Sequence, residues 1–297
     1  MNILLIGGNG FLGKSLQTKL NNFNFVSPTK NEVNWITGKG VETLGQFDVV
    51  IHLLAIYGGL PYCLNNRVKM GLENLEINSN VYRYIEKTNP AKIITIGSGC
   101  EYPGYLDGYL KEEDLGAGKL HQSVIHYGYS KLMQLQLCYS FLQERGTQFE
   151  HLVLANMYGP YDRFDLHNSH VVGGIIYKFK EAMKNNDVIK LMGTGAAVRD
   201  LIYVDDVSEM IVRLLQKDVL SNRPLNCGTG VGTPISTLVN LLCQKLNYHK
   251  VEWGNASEDG ALLKVLDMSK TKDYLNWTPE TSLEEGLDKT LDWYFNE

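Results

Sequence analysis

Four apolar residues near the start of the chain, Ile3-Leu4-Leu5-Ile6, run directly into Gly7-Gly8-Asn9-Gly10-Phe11-Leu12-Gly13. A short apolar run closed by glycine reads as a buried strand, and the residues behind it, Phe11–Asn21, carry a helical period. The glycines therefore occupy a strand-to-helix turn. Residues without Cβ permit that tight turn and let backbone N–H groups approach a pyrophosphate at the positive end of the helix. The spacing fits G-x-G-x-x-G through Gly8, Gly10 and Gly13, and G-x-x-G-x-x-G through Gly7, Gly10 and Gly13. On either reading Gly7, Gly10, Phe11, Leu12 and Gly13 are candidate dinucleotide-binding residues.

The same alternation continues. Strand-like runs at Ile3–Ile6, Phe23–Ser27, Asp48–Leu53, Lys92–Ile96 and His151–Ala155 are separated by helical segments near Phe11–Asn21, Leu72–Thr88 and Val124–Arg145. That pattern predicts an α/β fold, a Rossmann-type doubly wound parallel sheet. After Gly159-Pro160 it breaks, and a helix at Val171–Lys184, a strand at Val188–Leu191 and helices at Asp205–Gln216, Ile235–Leu246 and Ser282–Phe295 follow. The expected division is a dinucleotide-binding domain over 1–165, to which the chain returns around 200–228, and a smaller α/β substrate-binding domain over 166–297. A length of 297 residues suits two domains of roughly 150 each.

Apolar residues make up 44% and charged residues 21%, the composition of a globular protein. A formal net charge of −5 supplies no basic field, so neither nucleic acid nor an anionic membrane is an expected partner. Any anionic ligand must be held by local cations. Cys63, Cys100, Cys138, Cys227 and Cys243 are odd in number and form no C-x-x-C pair, so no disulfide framework or metal site is expected. No run of 18 apolar residues is present, and the N-terminal apolar run is short with no cationic flank. A cytoplasmic location is the expectation.

At the end of the second strand, where an acid would accept the ribose hydroxyls of NAD, the chain has Ser27-Pro28-Thr29-Lys30, with its first acid at Glu32. With Lys30 nearby to meet a 2′-phosphate, NADP(H) is the expected cofactor. Of 17 tyrosines, Tyr127 has a lysine four residues on, Lys131. On a helix those positions share a face, and a neighbouring cation lowers a phenol toward working pH. Ser98 ends the fourth strand region in Ile96-Gly97-Ser98-Gly99-Cys100, at the sheet edge where ligands bind. Its hydroxyl can reach the same oxygen that Tyr127 protonates.

With these elements together, the chain resembles the extended short-chain dehydrogenase/reductase superfamily, whose Ser, Tyr and Lys are catalytic. Further segments resemble the GDP-L-fucose synthases: Thr29-Lys30-Asn31-Glu32-Val33-Asn34, Gly58-Gly59-Leu60, Gly97-Ser98-Gly99-Cys100-Glu101-Tyr102-Pro103, Asn156-Met157-Tyr158-Gly159-Pro160-Tyr161-Asp162, Asn168-Ser169-His170-Val171, Val198-Arg199-Asp200-Leu201-Ile202-Tyr203 and Asn226-Cys227-Gly228-Thr229-Gly230. That resemblance implies NADPH-dependent reduction of a GDP-linked 4-keto sugar at C4, with Cys100 and His170 as the base and acid that invert C3 and C5. A thiol base must then sit near positive charge or donors. The resemblance also puts Asn156, Lys178, Arg199 and Lys264 around the sugar nucleotide, and implies a homodimer through helices such as Leu72–Thr88 and Val124–Arg145. Lys178, Asn9 and Met192 depart from the family's usual Arg, Arg and Trp. Nucleotide-sugar dehydratases of this fold carry Thr-Asp-Glu where this chain has Ser98-Gly99-Cys100, which argues against elimination of water; Glu101, one place on, would point the other way in an extended segment. Two other enzyme readings stay open: C4 reduction without epimerisation, on a GDP-4-keto-heptose or another GDP-4-keto-deoxy sugar, and redox-neutral 4-epimerisation with tightly bound NAD. A non-catalytic NADP-binding sensor would need the glycine turn but not Ser98, Tyr127 and Lys131 together.

Overall fold

In the computed structural model, which describes residues 1–106, 108–256 and 261–296, the first apolar run forms a central strand of a parallel sheet. The first half of the chain contains β1 (Asn2–Ile6), α1 (Phe11–Lys19), β2 (Asn24–Val26), β3 (Val49–His52), α2 (Leu60–Asn65), α3 (Arg67–Thr88), β4 (Lys92–Ser98), β5 (Gly108–Leu110), α4 (Ile125–Arg145), β6 (Gln148–Leu154) and β7 (Asn156–Tyr158). The second contains α5 (Val171–Asn185), β8 (Ile189–Leu191), β9 (Val198–Tyr203), α6 (Val204–Leu215), β10 (Pro224–Cys227), β11 (Gly232–Pro234), α7 (Ile235–Leu246), β12 (Val251–Trp253), β13 (Leu263–Leu266), α8 (Ser269–Leu275) and α9 (Leu283–Asn296).

Six parallel strands lie in the order β10-β6-β4-β3-β1-β2. The winding direction reverses between β1 and β3, which opens a crevice at their carboxyl ends, the place where such sheets hold ligands. One face is covered by α1, α6 and α8 through Leu16, Val207, Ile211, Leu214 and Leu275, with Trp277 beside them. Ile77, Val81 and Ile85 of α3 and Leu135 and Cys138 of α4 cover the other. Burying each large aliphatic side chain contributes about 1.5–3 kcal/mol, which is why strands covered on both faces are continuous apolar runs. The long α4 stops at Arg145, where Gly146 takes a left-handed conformation (φ 70°) that only glycine adopts without strain.

A second sheet, β11-β9-β13-β5 with β7 on the flank of β9, stands beside the first. Phe179 of α5, Leu238 and Leu242 of α7 and Leu287 of α9 pack around it in a separate core. The chain crosses back so that β10 pairs with β6 and α6 packs on the α1 face of the large sheet, and returns again with α8. Strand β4 runs two residues beyond the expected Ile96, because Gly97 and Ser98 keep pairing with Val153 and Leu154. That extension makes Ser98 the last rung at the crevice. No helix among the described residues is long and apolar enough to cross a membrane.

Candidate active site

The glycine turn is a cradle made of backbone. Gly7 has φ +90°, and a Cβ there would lie 2.9 Å from the Leu54 nitrogen. A Cβ on Gly13 would lie 2.4 Å from the Gly7 oxygen and 2.5 Å from Gly8 Cα, so α1 can approach the turn only because residue 13 has no side chain. Gly8 is hemmed in as well, a Cβ there falling 2.0 Å from Ser27 Oγ, so both glycine spacings have a place in the turn. Gly10 caps α1 without a side-chain bond, and the first turn holds no acid. Phe11 and Leu12 turn their side chains into the core, leaving the N–H groups at the helix start to bind an anion. Close to Gly8, the buried Ser27 Oγ has no hydrogen-bond partner. A pyrophosphate and adjoining ribose fit this donor set. Beyond β2, Glu32 folds onto Thr29, accepting from its N–H at 2.7 Å and its hydroxyl at 2.9 Å, bonds that hold the carboxyl below its usual range. Lys30 is exposed alongside.

Ser98 caps a single 3-10 turn, Gly99–Glu101, and its Oγ accepts the Cys100 N–H at 3.2 Å. Helix α4 seats on that turn through Gly128, where a Cβ would fall 2.5 Å from the Cys100 carbonyl oxygen. This close contact sets Tyr127 and Lys131, one helical turn apart, against the turn that ends β4. Lys131 is 1% exposed; its Nζ lies 5.6 Å from the centre of the Tyr127 ring and donates to Gln134 Oε1 at 3.3 Å. Gln134 in turn bonds Thr95 (3.1 Å), Asn78 (2.7 Å) and His52 (3.0 Å), a buried network that fixes the lysine. Burial draws the Lys131 amine down to about 8, with Glu101 pulling the other way. The expected lowering of the Tyr127 phenol does not occur: burial, then Cys100, Tyr57, Glu101 and Cys63, push it well up. A phenol held protonated is in the form that donates a proton.

His170 caps α5, and its Nδ1 stands 3.2 Å from Oδ1 of the buried Asp162. Tyr57 stacks on His170 (centroids 5.1 Å apart, planes at 22°) and leans on Tyr127 at 6.5 Å, so one ring links the two candidate acids. The other oxygen of Asp162 is buried without a hydrogen-bond partner. The setting expected for a thiol base, positive charge or donors, is present at Cys100 through Lys264 and Ser98, yet the thiol is not lowered. Burial pushes its thiol up to about 11; the Ser98 bond and Lys264 oppose this, while Cys63 and Glu101 add to it.

The four candidate substrate residues are not all together. Arg199 on β9 and Lys264 on β13 are directly paired in register. Arg199 Nη1 donates to the carbonyls of Val198 (2.8 Å) and Ala261 (2.7 Å), and Lys264 Nζ donates to that of Leu106. Asn156 on the neighbouring β7 donates to the Asp200 carbonyl at 3.2 Å. Lys178 is turned toward β8 instead, donating to the Lys190 carbonyl at 2.8 Å, and burial lowers its amine. Sequence reasoning missed Tyr57 and Asp162 as site residues, although each adjoins or ends a segment quoted above. Glu101 does turn away from the crevice as anticipated, but by way of the 3-10 turn rather than an extended backbone.

A doubly wound parallel sheet with a glycine turn at its switch point is the fold of an extended short-chain dehydrogenase/reductase. More narrowly, the chain belongs to the NAD dependent epimerase/dehydratase family, which it matches over residues 3–228. It is similar to the GDP-L-colitose synthase of Yersinia pseudotuberculosis, with 27% identity over 305 residues that cover 100% of this chain and 99% of the relative. Among solved structures, a GDP-6-OMe-4-keto-L-xylo-heptose reductase from C. jejuni has a TM-score of 0.88 at 23% identity, covering 99% of this chain and 97% of the other. A GDP-L-fucose synthetase from Naegleria fowleri bound to NADP has a TM-score of 0.89 at 22% identity, covering 99% and 94%.

Proposed function

We propose that the protein reduces the C4 ketone of a GDP-linked 4-keto sugar, a 6-deoxyhexose or a heptose, with NADPH, and couples this to epimerisation at C3 and C5. The observation that carries the reading is the seating of α4, with Tyr127 and Lys131 one turn apart, on the turn that Ser98 caps at the end of β4, together with a glycine turn that opens an uncapped helix start. The names of the similar proteins, a colitose synthase, a heptose reductase and an NADP-bound fucose synthetase, support it.

The cofactor is NADP(H), because Ser27-Pro28-Thr29-Lys30 presents no acid to the ribose and Glu32 is folded onto Thr29. When bound, it supplies the hydride for C4. Tyr127 gives its proton to the ketone oxygen, Ser98 Oγ donates a hydrogen bond to the same oxygen, and the Lys131 ammonium stabilises the phenolate left behind. Arg199, Lys264 and Asn156, on adjoining strands, meet the diphosphate and sugar of the substrate, which carries about two negative charges that charge-assisted bonds can hold, and Lys178 joins them only by leaving the Lys190 carbonyl. For epimerisation, the Cys100 thiolate takes the proton α to the ketone, the enolate forms, and His170, oriented by Asp162 at 3.2 Å, returns a proton from the opposite face. The large sheet with α1 and α6 serves the cofactor, and the second sheet with α5, α7 and α9 serves the sugar nucleotide. Exposed Val68 (74%), Leu72 (56%) and Leu75 (58%) on α3 and Tyr129 (52%) and Met133 (50%) on α4 support a homodimer through these two helices. A cytoplasmic location goes with this reading.

The Cys100 thiol, raised to about 11, favours a second reading, C4 reduction alone, since a buried thiol of that strength is a poor base at neutral pH. Both are tested by following NADPH oxidation against GDP-linked 4-keto hexoses and heptoses in deuterated water, with product stereochemistry read by NMR. Epimerisation puts solvent deuterium at C3 or C5 and Cys100→Ser abolishes it; reduction alone gives unlabelled C3 and C5. A purified protein that keeps NAD bound and turns over GDP-sugars without consuming NADPH overturns both.

A further inference from the structure

Behind Ser98 two ionisable side chains are sealed inside the sheet. Glu101 and His151 are each 0% exposed, and His151 Nε2 stands 2.9 Å from Glu101 Oε2. The other carboxylate oxygen accepts the Ser98 N–H at 2.6 Å and completes the capping box around Cys100. Gly97 makes the room: a Cβ there would come within 2.3 Å of His151 Nε2 and 2.5 Å of Glu101 Oε1. Residues 97 and 98 lie on β4 and His151 on the adjacent β6, so the pair pins the reactive end of one strand to its neighbour. Stability alone is a weak reason for such a pair, because apolar residues of similar volume usually serve as well in a core.

His151 Nδ1 has no partner. Both carboxylate oxygens of Glu101 are engaged, and the carboxylate sits in the turn on which α4 seats through Gly128, so its charge lies beside that helix. That charge reaches α4, where Glu101 acts on both Lys131 and Tyr127. The groups facing Lys131 are Tyr127 from its own helix, His52 from β3, which burial draws down to about 3 and so keeps neutral, and Glu101 from the turn after β4. Glu101 itself faces His151 from β6, Cys100 and Tyr102 from its own segment, and Tyr127 and Lys131 from α4.

We propose that Glu101, oriented by His151, is a positioning residue for the reduction: its buried carboxylate fixes the Ser98 turn and is the counter-charge that keeps Lys131 cationic beside Tyr127. The inference rests on the reductase reading and adds to it a residue with no place in the Ser, Tyr, Lys set. A carboxylate raises a neighbouring amine, so removing its charge lowers Lys131 below about 8 and the ammonium is lost at lower pH. Glu101→Gln keeps the shape and an acceptor for the Ser98 N–H while removing the charge.

The experiment compares wild type and Glu101→Gln in three measurements: the pH profile of NADPH oxidation with a GDP-4-keto-6-deoxy sugar, the NADPH affinity by fluorescence from pH 6 to 9.5, and the titration of Lys131 Nζ by heteronuclear NMR in the cofactor-free protein. The expected result is an alkaline limb and an Nζ titration that both move down by about one pH unit, with kcat at pH 8 reduced about fivefold, KM little changed, and partial rescue in Glu101→Asp. A variant with lower Tm but the wild-type limb and the wild-type Nζ titration shows a purely structural role and overturns the inference. Should Glu101→Gln fail to fold, the double variant Glu101→Gln/His151→Gln, an uncharged amide pair, is held to the same result. If wild type oxidises no NADPH with any ketone tried, the reductase reading fails separately, and the Nζ titration alone decides whether Glu101 charges Lys131.

Discussion

At the glycine turn the groups that would meet a ligand are backbone atoms held in place by packing: Gly7 in its positive-φ conformation, Gly13 jammed against Gly7 and Gly8, and the open N–H groups of α1. Across the cleft the corresponding groups are side chains, and each already bonds a carbonyl of its own fold: Asn156 to Asp200, Lys178 to Lys190, Arg199 to Val198 and Ala261, Lys264 to Leu106. The first region is complete before anything binds. The second must exchange carbonyl partners for phosphate oxygens, an exchange favoured because bonds to an ionised acceptor are roughly twice as strong as neutral ones. Changes in the cradle should therefore disturb the fold and cofactor binding together, whereas changes across the cleft should alter chiefly substrate binding.

The largest effect is expected between the two regions. Tyr127→Phe should lower kcat for NADPH oxidation by about 10²–10⁴-fold while NADPH affinity by fluorescence stays within a factor of about two, since only the proton donor is lost. Gly13→Ala comes next. Its methyl would sit 2.4 Å from a backbone oxygen that cannot swing away, so Tm should fall, at a cost of about 1–3 kcal/mol, and NADPH affinity should drop with it. Retained affinity at a lowered Tm would separate two properties that the cradle geometry couples. Arg199→Ala should raise KM for the GDP-sugar by roughly 10–100-fold, the worth of a hydrogen bond to a charged group, with NADPH affinity unchanged and only a small loss of Tm from the Val198 and Ala261 carbonyls it leaves. The smallest change is at Lys30, which is solvent-exposed. Lys30→Ala should narrow the preference for NADPH over NADH by about fivefold or less, in line with an exposed ion pair.

Both regions differ in how far they could be read from residue order. The cradle is local: strand, turn and helix lie within the first 19 residues, and glycine spacing reports the backbone directly. Ser98, Tyr127 and Lys131 were legible for the same reason, being fixed by a strand end and one helical turn. Strand β9 was not, because Arg199 and Asp200 interrupt its apolar pattern: Asp200 is buried, accepting from Thr229, Gly230 and Leu266, bonds that no local pattern reveals. Strand β10 begins with Pro224, and β5 and β13 are short partners brought together from opposite ends of the chain. The Tyr57 stack on His170, the Asp162 bond and the Glu101–His151 pair all join residues across turns or strands, so tertiary packing decides them. The pKa errors share that origin. A lysine one turn from a tyrosine suggests a lowered phenol, but Lys131 is directed to Gln134 and desolvation of the ring outweighs it.

The most direct test of the reductive role follows the hydride itself. With NADPH carrying two deuterons at nicotinamide C4 and a GDP-4-keto sugar as substrate, one deuteron should appear at C4 of the product sugar for each NADPH oxidised. A product formed with the cofactor unconsumed and its label intact would contradict the proposed reduction and point to a redox-neutral epimerase.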